Sequence, residues 1–531
     1  MILIRNRRHS KLGAMAAILV FLAFFQGSFL RAQSSAPSQA APAKPDARIT
    51  RAQAKELFAS VDTILHFASD DSKLPIKSTV KRRLTTRNDV EKYLVEKMKD
   101  DKDAKRMERS EIVLKKFGLL DESFHLEPFL VSLLKEQIAG YYDSKTKTVN
   151  LLDWIDPDSQ KPVLAHELTH ALQDQRMNLE KWEDSGDEDA QAKNVAEDNQ
   201  HIAVDEQDTA REAVLEGQAM AVLVDYSLKP MGQSILANPA VVKQRADEQG
   251  ADSDSPVLSR APLLLQESLL FPYKEGLKFE VDLLADQGAQ GAFAGVLDRP
   301  PSSSYEVMNP RVYEHKVKVP VLAMPDVHPL LDADYTPYDI GVMGQVDVRI
   351  LTELFGGPQM AAQLTPAWDG GIYFAAQKKD AADKSSTASV GLLYLSQWKS
   401  PDAAAAFAKM YGEELDKQYS GVARDTQNES DEGEKVYKTS EGPVVIATNG
   451  NAVFVSESFD LTVARKLEFL MFGAQQKAGE GGAIAASAAR PYDKMGEHSI
   501  APESASGLTG SMINFFAGCG MMRAALPTAR F

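Results

Sequence analysis

The sequence predicts an α+β protein, and three observations carry that prediction. From about residue 48 to 330 charged and apolar residues recur at helical spacing, as in "RNDVEKYLVEKMKDDKDAKRMERSEIVLKKFGLL". One short hairpin interrupts this helical stretch: "YYD" and "TVNLL" are strand-like, and "DSKT" between them is the turn. Past a proline-broken passage at 320–338 the pattern changes to a compact run of strands and helices. With 531 residues, 44% of them hydrophobic and 25% charged, the chain has material for more than one core.

The first residues stand apart from the fold. Arg5, Arg7, Arg8 and Lys11 precede "AMAAILVFLAFF", an apolar run of twelve, and "QGSFLRAQ" offers a cleavage point after Ala32. Twelve residues make a helix of about 18 Å, short of the ~30 Å hydrocarbon core, so residues 1–32 read as a secretory signal peptide. The expectation is therefore an exported protein, periplasmic or extracellular in a bacterial envelope, with no stable membrane span after cleavage. A single cysteine, Cys519, allows no intrachain disulfide. The net charge of −16, with no long basic block, disfavours nucleic acid as a partner.

In order, residues 33–48 are Ala/Pro/Ser-rich and read as a linker, and 49–330 as one mostly helical domain. Within it, the spacing predicts a helix ended by Gly140, then the hairpin, then a helix from about 160 to 177 with Pro162 in its first turn. The acidic stretch 180–208 reads as a surface excursion, and "DTAREAVLEGQAMAVLVDYSL" as a buried helix. Residues 335–474 read as a smaller α+β domain: a helix at 339–356, strands at 371–378 and 387–396, a helix in "SPDAAAAFAKMYGEELDKQY", three further strands and a helix at 460–472. "NGN" at 449–451 marks a hairpin. The order of these elements loosely resembles the ferredoxin-like repertoire. Residues 475–531 read as a low-complexity tail.

The chemistry concentrates in "PVLAHELTHALQDQ". Residues four apart on a helix project from nearly one face, so His166 and His170 can share one tetrahedral Zn²⁺. Glu167 then stands beside that face, where it can act on a water as general base without entering the coordination shell. Val163, Leu164, Leu168, Ala171 and Leu172 supply the apolar supporting side. A catalytic zinc needs a third protein ligand, and a local third histidine is excluded because positions 173 and 176 are Gln and Arg. Glu216 is the preferred candidate, in "LEGQA" where Gly217 permits close helix contact; Glu212 and His201 are the alternatives. A carboxylate buried among apolar residues is costly unless paired or bound to a metal.

HExxH followed by a downstream Glu in an "EGxA" setting resembles the gluzincins. More closely, "EQIAGYYDSKTKTVNLL", "LAHELTHALQDQ", "REAVLEGQA", "FPYKEGLKF" and "PPSSSYEVMNP" resemble a group of exported bacterial HExxH zinc metallopeptidase-like proteins. The resemblance covers about residues 85–315 and implies a zincin-like domain with a small edge sheet, zinc ligands His166, His170 and Glu216, and catalytic Glu167. It departs at Tyr305 and Asn309, where that group carries acidic and histidine residues, and in a long spacer between His170 and Glu216. The expected function is a zinc-dependent peptidase acting on a protein or peptide substrate. Tyr273, Tyr305, Tyr313 and His315 are candidate oxyanion donors, and "KTVNLL" a candidate substrate-pairing edge. The alternative is a non-catalytic envelope scaffold or binding protein with a structural or vestigial zinc site.

Overall fold

The computed structural model describes residues 48–100, 102–182, 194–239, 256–430 and 433–480. The predicted signal segment, nearly all of the linker, the heart of the acidic excursion and most of the tail lie outside them. Helix α1 (Arg51–Ser72) opens on a capping box in which Thr50 and Gln53 satisfy each other's backbone N–H groups. Then follow β1 (Lys81–Thr85), α2 (Arg87–Asp100), α3 (Lys102–Lys116), α4 (Leu126–Gln137), β2 (Tyr141–Asp143) and β3 (Thr148–Leu152). The next helices are α5 (Pro157–Met177), α6 (Leu179–Trp182), α7 (Val195–Val204), α8 (Gln207–Leu228) and α9 (Leu263–Ala289). A π-helical turn, Gln290–Gly295, leads into the short helices α10 (Val296–Asp298), α11 (Ser304–Met308), α12 (Pro310–Glu314) and α13 (His328–Leu331).

The architecture is α+β, with two sheets among the described residues. The smaller has the order β1-β3-β2, with β1 parallel and β2 antiparallel to β3. "TVNLL" is thus the central strand, not the edge expected for it; the edges are β1 and β2. A contiguous segment reads as hairpin, but only its pairing with β1, 67 residues upstream, makes its second strand interior.

The larger sheet comprises β4 (Tyr335–Val342), β5 (Trp368–Lys378), β6 (Val390–Trp398), β7 (Ala423–Arg424), β8 (Glu434–Thr439), β9 (Gly442–Asn449) and β10 (Ala452–Glu457). Helices α14 (Gln345–Leu364) and α15 (Pro401–Glu413) interrupt it, and α16 (Leu461–Glu480) closes the described chain. Its order is β4-β5-β6-β10-β9-β8-β7, antiparallel throughout: two meanders joined between β6 and β10. This single seven-stranded sheet differs from the small ferredoxin-like arrangement. Alternate residues of β5 serve two cores, Tyr373 and Ala375 the main one, Ile372 and Phe374 another shared with Leu467 and Met471 of α16. Burial on both faces explains why these strands read as continuous apolar runs.

Four boundaries differ from expectation. Residues 335–342 form a strand, since "YTPYDIGV" is rich in β-formers, and the helix expected from 339 starts at Gln345. Helix α16 runs to Glu480, past the start expected for the tail. Pro157, behind an Asp156 cap that accepts from the N–H groups of Asp158 and Ser159, takes the first-turn position of α5, which leaves Pro162 inside the helix. Gly140 lies two residues beyond the Ile138 cap of α4, so it does not end that helix.

Candidate metal centre

Helices α5, α8 and α9 build the site. α8 packs along both α5 and α9, and the α8–α9 contact is a glycine pair. A methyl placed on Gly217 would lie 2.3 Å from the carbonyl carbon and oxygen of Gly276; one on Gly276 would lie 2.1 Å from the Ala213 carbonyl oxygen. The two backbones touch, which seats Glu216 opposite α5. The close approach expected of Gly217 is made to α9.

Three ligand atoms converge. His166 Nε2 lies 2.9 Å from Glu216 Oε2, His170 Nε2 lies 3.6 Å from the same oxygen, and the two Nε2 atoms are 2.9 Å apart. A tetrahedral ion with donors at about 2.0–2.1 Å holds them roughly 3.3 Å from one another, so the triangle has the size zinc needs. His166 and Glu216 are buried and His170 half-buried. Among the described residues this is the one cluster of three His, Cys, Asp or Glu groups that could hold a metal. Burial works against the charge on Glu216, but His170 first and then His166 overrule it and hold the carboxyl below its usual range. Burial pulls His166 down to about 4 despite Glu216.

Glu167 stands outside the triangle. Its Oε2 accepts the backbone N–H of Tyr142 at 2.7 Å, so the edge strand β2 holds it. Its Oε1 is buried with no hydrogen-bond partner. Burial first, then Glu216, raise its pKa to about 7 against the opposing pull of His170. Asp174, two turns along α5, accepts from the Tyr142 hydroxyl and from Lys147 Nζ, pinning the hairpin to the helix. Tyr142 is therefore part of the wall of the site, whereas Tyr141 stacks on Tyr93 with centroids 4.6 Å apart.

The remaining candidates are dispersed. Glu212 is buried on α8 one turn before Glu216, outside the converging triad. His201 sits on a regular helix, α7, and pairs with Asp205 at 3.1 Å. The expectation that 180–208 is a surface excursion is corrected at α7: Asp198, His201 and Ile202 are buried, and the helix contacts β4. Tyr273 approaches the centre, its ring 6.3 Å from that of His166. Tyr305 faces Trp368, Asn309 bonds to the Tyr305 carbonyl and to Gln345, and Tyr313 donates to the Arg299 carbonyl at 2.6 Å. His315 caps α12. Sequence reasoning passed over Gln173 and Gln218; the signal for Gln173 was its position three residues after His170, on the same helix face.

Comparisons with protein families, curated proteins and solved structures returned no match.

Proposed function

We propose that the protein is a zinc-dependent peptidase. The observation that carries this reading is the pairing of a zinc-sized triad with a buried, unpartnered carboxylate oxygen beside it. His166, His170 and Glu216 would hold the ion, two neutral imidazoles and one carboxylate leaving the fourth position open. When bound, zinc acidifies a water and polarises a substrate carbonyl. Glu167 Oε1 takes the proton of the attacking water and returns it to the leaving amine, while the Tyr142 N–H fixes the other oxygen. Strand β2, an edge beside the general base, would pair with an extended peptide. Tyr273 is the best placed of the four candidate oxyanion donors.

The same reading includes a zincin-like helical domain and export to the bacterial envelope. No helix among the described residues is long and apolar enough to cross a membrane; export rests on residues 1–32. The scaffold reading draws on one observation, the burial of His166 and Glu216, which would suit a purely structural ion. Glu167→Gln separates the two. It should keep stoichiometric zinc and lose casein cleavage by about 10²–10⁴-fold. Cleavage unchanged in that variant would exclude Glu167 as the base, and a zinc-loaded wild type that cleaves no peptide of a broad library would favour the scaffold.

A further inference from the structure

The π-helical turn Gln290–Gly295 presents two carbonyl oxygens, of Ala292 and Phe293, to the side chain of Gln218 at 3.1 and 3.0 Å. A carbonyl can only accept, so Gln218 must turn its amide nitrogen toward the pair. Its oxygen then faces Gln173, whose Nε2 donates to it at 3.0 Å and to the Leu215 carbonyl at 3.1 Å. With its nitrogen committed twice, Gln173 can offer only Oε1 to His170 Nδ1, 2.9 Å away. That contact requires the proton of His170 to sit on Nδ1. Both glutamines are fully buried, so water cannot supply alternatives.

We infer that Gln218 and Gln173 are positioning residues that transmit the polarity of the π-turn carbonyls to His170 and keep its Nε2 lone pair aimed at the site of the ion. Each link is forced by the one before it: flipping either amide would set oxygen against oxygen. The inference rests on the zinc reading for its purpose but not for its geometry. The partner of a ligand histidine's second nitrogen fixes tautomer and ring orientation, and its loss costs about 10–100-fold in metal affinity. His166 has no such device: its Nδ1 is buried without a hydrogen-bond partner. The relay therefore acts on the half-buried ligand, the one less enclosed by its neighbours than His166.

The experiment uses ¹⁵N-histidine-labelled protein and two readouts, with thermal unfolding monitored to show that each variant is folded. In metal-free protein the His170 Nδ1–H proton should be protected from exchange in the wild type and in Gln173→Glu, which keeps the acceptor, and lost in Gln173→Met. Zinc affinity, measured against a chromophoric chelator, should fall about 10–100-fold in Gln173→Met and about 10-fold in Gln218→Met. In Gln173→Glu it should stay within about threefold, since burial keeps that carboxyl protonated, so its O–H replaces the amide as donor to Gln218 Oε1 while its other oxygen accepts from Nδ1–H. Unchanged affinity and a protected proton in Gln173→Met would overturn the relay, and so would an equal loss in Gln173→Glu. A wild type that binds no zinc yet shows the protected proton would strike the metal reading and leave the relay standing.

Discussion

A buried ionisable side chain must be paired, neutralised or bound to something, and this chain uses each solution at a different place. At the triad, Glu216 is paired and Glu167 is left with one bare oxygen. At the ends of α1 and α8, Asp71 and Asp225 face each other. Burial first, then the charge of Asp225, raises the Asp71 carboxyl to about 8. Between about pH 4 and 8 the folded chain thus holds a proton that the unfolded chain has released, so stability falls as pH rises through that window. Asp71→Asn removes the ionisation. Its melting temperature should match the wild type near pH 4 and exceed it increasingly up to pH 8; a constant difference across the window would show that Asp71 ionises normally.

At the scale of elements, the contact between α8 and α9 decides whether there is a site. Gly217 and Gly276 leave no room for a methyl group, and the opposing atoms are backbone, which cannot swing aside. Gly217→Ala must push the helices apart and carry Glu216 away from the imidazoles. The expected result is a loss of about 1–3 kcal/mol in urea unfolding together with weakened zinc binding, an overpacking cost coupled to a displaced ligand. Gly232→Ala serves as a control: it has open space around it, although its φ of +66° strains any L side chain. It should destabilise without touching zinc affinity. If Gly217→Ala keeps wild-type affinity, the glycine contact does not position Glu216.

At the scale of the molecule, the described residues from Arg48 to Glu480 form one compact unit, and a buried lysine ties its early helices to the larger sheet. Lys116, the last residue of α3, is fully buried with Nζ 2.6 Å from both Glu441 Oε2 and Ser458 Oγ. Burial lowers its pKa, opposed by Glu441 and Glu457. Tyr411 and Tyr419 donate to the buried Glu457 at 2.6 and 2.5 Å, completing the network. Lys116→Met should cost about 3–5 kcal/mol, because it strands Glu441 rather than because the pair itself contributes that much. Adding Glu441→Gln should recover a large part of the loss. A double variant as unstable as the single one would assign the cost to packing instead. The charged and apolar alternation of α3 does not reveal this burial, because periodicity alone cannot show that its last turn meets Glu441, 325 residues on.

What the sequence determined by itself were the properties set within a few turns of chain. The helix carrying His166, Glu167 and His170, the turn at Gly450 and the α+β class all follow from spacing and local conformational preference, which act over the same few residues. Glu216 was legible as a costly carboxylate in an apolar helix beside a small residue and through its "LEGQA" setting, not through its spacing from His170. The tertiary structure alone decided that "TVNLL" is interior to its sheet, that His201 belongs to Asp205, that Lys116 is buried, and that Gln173 and Gln218 meet. Those outcomes depend on which distant segments share a core, and burial, strand order and amide orientation are properties of the partner surface rather than of the residue that carries them.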